Sequence, residues 1–515
     1  MTSRFEQIAR RNFPAPVEPK ASAPQQVVRV IGGGLAGPEA ALTAARLGCQ
    51  VDLYEMRAMV DGQPRLTPAH QTIDFGELVC SNSLKSESPN TAPWLLKQEM
   101  RRCGSALLRI ADQTAVPAGH ALAVDRVEFS RRIAEAVAAD PNIRVIREEV
   151  TSLQDEDSTK HCTIIATGPL TSSALSAEIQ RITGSQHLAF YDSISPIVDA
   201  ESIDMDRVYF AARWDKGTAD YINCPMDREE YDIFLDALLA AEAAESKEWE
   251  KLDYFEGCLP IEILARRGRD TLRFGPMKPV GLRDPRTGKT PWAVVQLRKE
   301  NLRADSYNLV GFQNHLKWGE QGRVLRLIPG LANAKFLRYG QIHRNTYICA
   351  PALLDETLRL GVVQNGHEAS GHDFSRAEKD PLELGALAPE RMPIASQPTL
   401  MFAGQISGVE GYTESIATGL LAGLYAASFV HGQQPVPIPR STALGSLIHY
   451  ITHAEVKDFQ PANITFDLLE PMPEEERRKI RDKKERHRIQ CERALAAFDA
   501  WWAASPYDQR AAPAV

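Results

Sequence analysis

Long apolar runs, paired cysteines and zinc-type motifs are all missing from this sequence of 515 residues. No apolar stretch approaches the roughly 18–20 residues that a bilayer span needs, and no apolar segment follows the charged first residues, so neither a membrane-spanning nor a secreted protein is expected. The eight cysteines include no C-x-x-C and no Cys/His pair at zinc spacing, which argues against a disulfide framework or a structural metal. The sequence therefore predicts a cytoplasmic protein with reduced thiols and no metal.

An excess of positive charge is also missing. The chain has 59 basic and 67 acidic residues and a net charge of −8, so any contact with nucleic acid must come from local basic patches on an acidic body. An apolar share of 43% and a charged share of 24% fit a globular chain of several domains. Residues 1–26 lack apolar periodicity and are predicted to be a flexible leader, since Glu6 and Glu18 disfavour an organelle transit peptide.

A glycine-rich dinucleotide fingerprint is present in the context that its chemistry requires. An apolar strand at 27–31 runs into G-x-G-x-x-G, a helix follows, and an acidic residue ends the next strand, 18 positions after the last glycine. The glycines allow a tight turn and a close approach to a pyrophosphate, while the helix N-terminus supplies N–H donors and the acidic side chain accepts from ribose hydroxyls. The predicted cofactor-binding residues are Gly32, Gly33, Gly34, Leu35, Ala36, Gly37 and Glu55.

The fingerprint alone fits NAD, FAD or S-adenosylmethionine, and two later segments favour FAD. Residues 164–168 (IIATG) resemble the strand-end motif of FAD-dependent two-domain oxidoreductases, and residues 402–405 (FAGQ) resemble their distal flavin-contacting segment. A pure NAD dehydrogenase does not require this late return to a strand–glycine–helix pattern. The cofactor-binding residues predicted from the second segment are Gly404, Gln405, Gly408 and Tyr412.

The change of pattern along the chain predicts an α/β protein in which a discontinuous Rossmann-like FAD-binding domain carries an inserted α+β domain. Alternating strands with one acidic helix at 227–248 mark the insert. The expected organisation is a leader at 1–26, a first FAD-binding segment at 27–190, the inserted domain at 191–350, a connecting loop insertion at 351–395, a second FAD-binding segment at 396–470, and a charged C-terminal helix and tail at 471–515.

Several segments, specific as a set, resemble the TrmFO family of flavin- and folate-dependent tRNA (uracil-5-)-methyltransferases. They are residues 74–86 (DFGELVCSNSLKS), 115–126 (AVPAGHALAVDR), 255–262 (FEGCLPIE), 274–281 (FGPMKPVG), 314–321 (NHLKWGEQ), 340–347 (GQIHRNTY), 404–415 (GQISGVEGYTES) and 449–452 (HYIT) with 459–461 (FQP). The resemblance runs from about residue 27 to 466 and leaves out the leader, an insertion at about 363–390 and the charged tail.

The resemblance implies formation of 5-methyluridine at position 54 of the tRNA T-loop. The one-carbon donor is 5,10-methylenetetrahydrofolate, electrons come through FAD from NADPH or NADH, and no obligate protein partner is expected. Since C5 of uracil is a poor nucleophile, a thiolate is needed to add at C6. By resemblance Cys258 is the expected nucleophile, and Cys80 is the second active-site cysteine, near the flavin. Arg266 or Lys278 could lower the pKa of Cys258 or hold a tRNA phosphate.

Other substrate-site residues are expected around the flavin and the folate: His343, Arg344 and Trp318. The competing interpretation of Trp318 is core packing, and that of His343 is an ordinary structural histidine. The base that removes the C5 proton is not identified.

Three other functions remain open: a related flavoprotein that modifies wobble uridines, an FAD-containing RNA-binding protein, and an NAD(P)H oxidase. The charged segment 474–493 fits either tRNA backbone binding or a solvated terminal helix, and the solvated helix is favoured because the family resemblance stops before it.

Overall fold

The computed structural model of the chain describes residues 27–67, 69–153, 161–184, 188–193, 195–215, 218–243, 259–340, 342–361 and 399–508. The strands are β1 (Val27–Ile31), β2 (Val51–Tyr54), β3 (Ala58–Val60), β4 (Gln63–Arg65), β5 (Ser83–Ser86), β6 (Ala115–Val116), β7 (Ala121–Val124), β8 (Ile143–Ile146), β9 (His161–Ile165), β10 (Leu188–Ser193), β11 (Ile197–Asp199), β12 (Tyr209–Ala211), β13 (Tyr221–Met226), β14 (Ala293–Lys299), β15 (Ser306–Leu309), β16 (Phe336–Arg338), β17 (Ile342–Tyr347) and β18 (Thr399–Phe402). The helices are α1 (Ala36–Arg46), α2 (Ala92–Arg102), α3 (Ala106–Gln113), α4 (Arg126–Ala139), α5 (Ser173–Thr183), α6 (Arg228–Ala240), α7 (Ile261–Arg266), α8 (Thr271–Phe274), α9 (Trp318–Leu325), α10 (Ala350–Leu353), α11 (Tyr412–Val430), α12 (Ala443–His453), α13 (Glu474–Lys479) and α14 (Lys483–Ala504). In the described part of the chain, no helix combines the length and the apolar character that crossing a bilayer requires.

A five-stranded parallel sheet forms the centre of the first domain, in the order β18-β9-β1-β2-β8. Its middle strand is apolar because helices cover both faces of such a sheet. Helix α11 packs on α1, and a Cβ atom at Gly419 would lie 2.3 Å from the Ala36 carbonyl oxygen, so only glycine permits this contact. Strand β18 enters the sheet from beyond the insert, and the predicted discontinuous Rossmann-like fold is confirmed.

A second sheet of six antiparallel strands, in the order β12-β13-β14-β15-β11-β16, builds the inserted domain. It has its own core, in which Phe234 of α6 packs on Phe312 with ring centroids 6.2 Å apart. Helix α6 begins with a capping box between Asp227 and Glu230 and ends at Ala240, earlier than the predicted 248. The predicted α+β insert is therefore present, while the exact domain boundaries stay predictions.

The C-terminal region, predicted as one charged helix followed by an Ala/Trp-rich tail, is helical as far as residue 504 apart from a short break after residue 479. The charged residues form two helices, α13 and α14, and α14 continues to Ala504 through the Ala/Trp-rich segment. Cys491, Ala494, Phe498 and Trp501 are buried against the first domain, a spacing of three and four residues that gives one apolar helix face. The segment 491–501 of α14 is thus part of the core, where the sequence predicts a tail after residue 493.

Candidate functional site

A partly enclosed cavity of about 990 Å³, counting the space open to solvent, lies at the carboxyl ends of the parallel strands. Its walls include residues that end or follow four neighbouring strands: Ile31, Glu55, Ala166 and Gly404. Ligands bind at this edge of open α/β sheets because loops and helix N-termini meet there. The cavity therefore occupies the position expected for a dinucleotide.

The glycine-rich turn fits a pyrophosphate. Gly32 has a φ of +116°, and a Cβ there would lie 2.5 Å from the Ala166 carbonyl oxygen. Gly34 lines the cavity, and a Cβ at Gly34 would meet no atom within 4 Å, so open space stands over its backbone. No side chain caps the N-terminus of α1, which leaves its first N–H groups for an anion. Gly37 serves packing instead, because a Cβ atom at this position would overlap the Gly32 carbonyl oxygen.

Glu55 lies in the cavity wall, where the sequence places the ribose ligand. Its carboxylate accepts from the Gly33 N–H at 2.7 Å and from the Arg57 Nε at 3.0 Å. Burial by itself raises the pKa of Glu55, but the charge and hydrogen bonds of Arg57 outweigh burial and lower that pKa below its ordinary value. Glu55 is therefore an ionised acceptor tied to the glycine turn.

The second predicted segment lies across the cavity from the first. Gly404, Gln405 and Tyr412 line the cavity, and the Gly404 N–H donates to the Thr418 hydroxyl at 2.8 Å. Gly408 is not among the described lining residues. Its φ is +88°, and a Cβ there would lie 2.3 Å from the ring of Phe459, so Gly408 acts in packing.

The loop that carries Cys80 is fixed at the cavity wall by Tyr412. The Tyr412 hydroxyl accepts from the backbone N–H of Cys80 at 2.7 Å and from that of Ser81 at 3.1 Å. Arg298 of β14 donates to the Ser81 hydroxyl at 2.8 Å, and Arg126 donates to the Leu78 carbonyl at 2.5 Å. Both domains therefore hold this loop, and Cys80 itself is half-buried.

Three mostly buried arginines make the region around this loop electropositive: Arg126, Arg298 and Arg338. Burial opposes the charge of Arg126, but Glu300, 2.8 Å away, raises its pKa above the ordinary value. Burial and Arg126 lower the pKa of Arg338. Burial raises the pKa of Tyr412 well above its usual range, so its hydroxyl stays protonated. An anionic or electron-rich group entering here meets positive charge.

Several predicted residues are not among the residues described at the cavity. Cys258 lies outside the described residues, and so do the leader and the insertion at 363–390. His343 and Arg344 are on β17, opposite Asp192 and Tyr191 of β10, but their side chains are outside the described part.

Trp318 is 60% exposed at the start of α9, which rules out core packing, and it is not among the described lining residues. Arg266 and Lys278 are exposed on the inserted domain. Arg269, three residues after Arg266, pairs with Asp232 and Asp236.

Sequence reasoning missed the arginines of the site. Arg57 follows Glu55 by two residues, which is a signal that could have been used. Arg126 ends the 115–126 motif, and Arg338 stands two residues before the 340–347 motif. Arg298 carries no local signal, since only the pairing of β13, β14 and β15 brings it to Ser81.

Comparison with known proteins gives consistent matches. A family model described as glucose inhibited division protein A matches residues 27–369 and 377–434. A protein of Koribacter versatilis named methylenetetrahydrofolate–tRNA-(uracil-5-)-methyltransferase TrmFO is 63% identical over 478 residues, covering 93% of this chain and 98% of the relative. A protein of Solibacter usitatus with the same name is 56% identical over 479 residues, covering 92% and 98%. These matches are longer than 27–466, so the similarity extends beyond the stretch recognised in the sequence.

Among solved structures, GidA of Aquifex aeolicus superimposes with a TM-score of 0.62 in each of two crystal forms. In one form the match covers 94% of this chain and 75% of that chain, at 16% sequence identity. Identity this low establishes the shared fold and no more.

Proposed function

Because the chain belongs to the TrmFO family, within the wider family described as glucose inhibited division protein A, we propose that it is a methylenetetrahydrofolate–tRNA-(uracil-5-)-methyltransferase. The observation that carries this proposal is the 63% identity across 98% of a relative with that name. The cavity supports it, because the glycine turn, the ionised Glu55 and the uncapped α1 form a site that suits FAD. The product is 5-methyluridine at position 54 of the T-loop, and a tRNA substrate implies a cytoplasmic location.

The reacting nucleophile is Cys258. Its thiolate sulfur forms a bond to C6 of uracil, and the electron pair that leaves the C5–C6 double bond makes C5 nucleophilic toward the one-carbon unit. When bound, methylenetetrahydrofolate supplies the carbon and reduced FAD, regenerated by NADPH or NADH, supplies the electrons. The carbon's bond to its donor breaks as C5 loses its proton to a base, and the supplied hydride converts this carbon to a methyl group. Departure of the Cys258 thiolate from C6 then restores the C5–C6 double bond.

Residues of the described cavity position these groups. The Gly32–Gly34 turn and the α1 N-terminus receive the pyrophosphate, and Glu55 accepts from ribose hydroxyls. Tyr412 and the Cys80 loop form the opposite wall, where the N-terminus of α11 also carries no side-chain cap. Arg126 and Arg338 bring positive charge to this wall, which suits the electron-rich uracil and the folate carboxylates.

A stack of three aromatic rings, with Trp318 exposed at its end, supports RNA binding beside this cavity. The rings of Trp318 and Tyr339 stack with centroids 6.3 Å apart and 21° between their planes, and Phe336 stacks on Tyr339 at 5.2 Å and 22°. The neighbouring Arg338 donates to the Ala69 carbonyl, one residue before a cavity-lining histidine. We therefore assign Trp318 to stacking on a base of the T-loop rather than to the flavin.

Methyl transfer with defined components tests the function. FAD-loaded protein, tRNA with a T-loop uridine, methylenetetrahydrofolate and NADPH should give 5-methyluridine at position 54, mapped by nuclease digestion and mass spectrometry. A requirement for S-adenosylmethionine, or modification of the wobble uridine instead, would overturn the proposal. An NAD(P)H oxidase or a pure RNA-binding protein predicts no methylated product.

Cysteine variants test the nucleophile in the same assay. Cys258→Ala should stay yellow and folded but lose methylation, because no thiolate remains to add at C6. Cys491→Ala is the control, since this thiol is buried on α14 and burial raises its pKa to about 12, which leaves it unreactive at neutral pH. Full activity of Cys258→Ala would show that another group is the nucleophile.

A tryptophan pair tests the stacking surface. Trp318→Ala should weaken tRNA binding by roughly 5- to 100-fold, the range that corresponds to about 1–3 kcal/mol for one stacked base. Trp214→Ala is the matched control, because Trp214 is 62% exposed on the same domain. Equal affinity for tRNA in both variants would refute the role of Trp318 and leave the methyl-transfer assay as the separate test of function.

A further inference from the structure

Two histidines and a glutamate outside the cavity form a cluster that the methyl-transfer chemistry does not use. His449 and His453 lie four residues apart on α12, so their rings share one helix face, with centroids 4.3 Å apart. Glu356 reaches the same point from the turn after α10, and its carboxylate oxygen lies 3.7 Å from His453 Nε2. One ligand atom from each of the three residues lies within 4.8 Å of the other two.

Hydrogen bonding fixes the tautomer of His453. The Thr452 hydroxyl donates to the Ile448 carbonyl at 2.8 Å, so its proton is committed. The same hydroxyl oxygen lies 2.8 Å from His453 Nδ1 and can only accept there. With Nδ1 engaged by this hydroxyl, Nε2 is the His453 atom that lies 3.7 Å from the Glu356 carboxylate and is placed to serve as a ligand. An imidazole nitrogen and a carboxylate oxygen at this distance leave room for a cation bound to both.

The turn that carries Glu356 is held rigidly. The carboxylate of Asp355 accepts from the N–H groups of Thr357 and Arg359 at 2.9 and 3.1 Å, and the Leu358 N–H donates to the Asp355 carbonyl. Helix α10, just before the turn, packs on α12. All three ligands therefore stand on elements with fixed backbones, as a preformed site requires.

We propose that Glu356, His449 and His453 bind a divalent transition-metal ion of the zinc class, with a fourth position open to water. Two imidazoles and one carboxylate match the ligand types that zinc takes in three-ligand sites, with bonds of about 2 Å. The positive charge of Arg440, which acts on His449, opposes a cation there, whereas the carboxylate of Glu356 favours one. The ion joins α12 to the turn after α10.

Zinc titration of the stripped protein tests this site. FAD-loaded full-length protein, treated with chelator and exchanged into chelator-free buffer, is titrated with ZnCl₂ by calorimetry. The wild type should bind one Zn²⁺ at this site, and His449→Gln, His453→Gln and Glu356→Gln should each weaken it by more than about tenfold. The control is His120→Gln, which changes an exposed histidine of the first domain and should bind Zn²⁺ with wild-type affinity.

The Thr452 bond provides a second readout. Thr452→Val should lower Zn²⁺ affinity by roughly 10- to 100-fold, because loss of the hydroxyl frees the His453 tautomer, and Thr452→Ser should restore it. Titration with Co²⁺ should give visible absorption without the band of a thiolate ligand. The proposal is overturned if the wild type takes up no Zn²⁺, or if the three ligand variants bind it with wild-type affinity.

Discussion

Replacing Tyr412 with phenylalanine removes one oxygen atom that organises the Cys80 loop. The hydroxyl accepts from two consecutive backbone N–H groups, those of Cys80 and Ser81, at 2.7 and 3.1 Å. The aromatic ring stays, so the cavity wall keeps its shape and FAD content should not change. The variant therefore isolates the hydrogen bonds from the packing.

The expected size of the effect follows from the exposure of the two donors. Cys80 and Ser81 are half-buried, so water can partly replace the lost acceptor, and each N–H should lose about 1 kcal/mol. Local opening of the loop should then become roughly fivefold more frequent for each amide. The Arg298 bond to the Ser81 hydroxyl and the Arg126 bond to Leu78 remain, so the loop should not unfold.

Hydrogen exchange at the amides of residues 78–83 measures this change. Tyr425→Phe is the matched control, since Tyr425 stands on the same helix and its hydroxyl accepts from the Ile438 N–H at 3.1 Å. Tyr412→Phe should speed exchange only at 78–83, and Tyr425→Phe only near residue 438. Unchanged exchange at 78–83 in Tyr412→Phe, or the same increase in both variants, would refute the assigned role of the hydroxyl.

Three further predictions concern the cofactor site and the core. Gly34→Ala adds a methyl group in open space, so the FAD-free protein should keep its melting temperature. FAD affinity, measured by flavin fluorescence, should fall more than about tenfold because the methyl group occupies the space of the pyrophosphate. An unchanged affinity would contradict the pyrophosphate assignment. Glu99 is buried and accepts from two N–H groups at the start of α12, and Glu99→Gln should cost about 1–3 kcal/mol in denaturant unfolding. Burial raises the pKa of Glu99 from 4.5 to about 8, so the folded state holds this proton more tightly than the unfolded state. The stabilisation from protonated Glu99 is complete below pH 4.5 and is lost as pH rises through about 8. Over this range the free energy of unfolding of the wild type should contain a decrease with pH that Glu99→Gln lacks. Phe498→Ala should lower the free energy of unfolding by about 3–5 kcal/mol, because Phe498 is buried. Lys484→Ala, at an exposed position of the same helix, should change it by less than about 0.5 kcal/mol. Equal effects would mean that α14 is not part of the core.

The charged C-terminal region shows how a strong local pattern can hide a weaker one. The solvated helix is favoured for 474–493 because the resemblance recognised in the sequence stops before it. The pairing of the basic residues within and between helices, as in Arg488 with Glu485 and Arg493 with Glu476, agrees with that interpretation. The apolar positions 491, 494, 498 and 501 follow the helical period and were available in the sequence.

The sequence by itself determined the cofactor turn and the family. The Gly32–Gly37 fingerprint, the strand before it and Glu55 after the next strand act through contacts close along the chain, so their spacing alone predicts a β-α-β unit. The tertiary structure alone decided which residues that are distant in sequence meet at the cavity wall. Tyr412 meets Cys80 across 332 positions of sequence, and Arg298 reaches Ser81 across 217, because the sheet and the insert bring distant segments together. Likewise, the spacing of His449 and His453 on one helix face can be read from the sequence. Glu356 joins them only because α10 packs on α12, and such long-range packing leaves no periodic signal in one sequence.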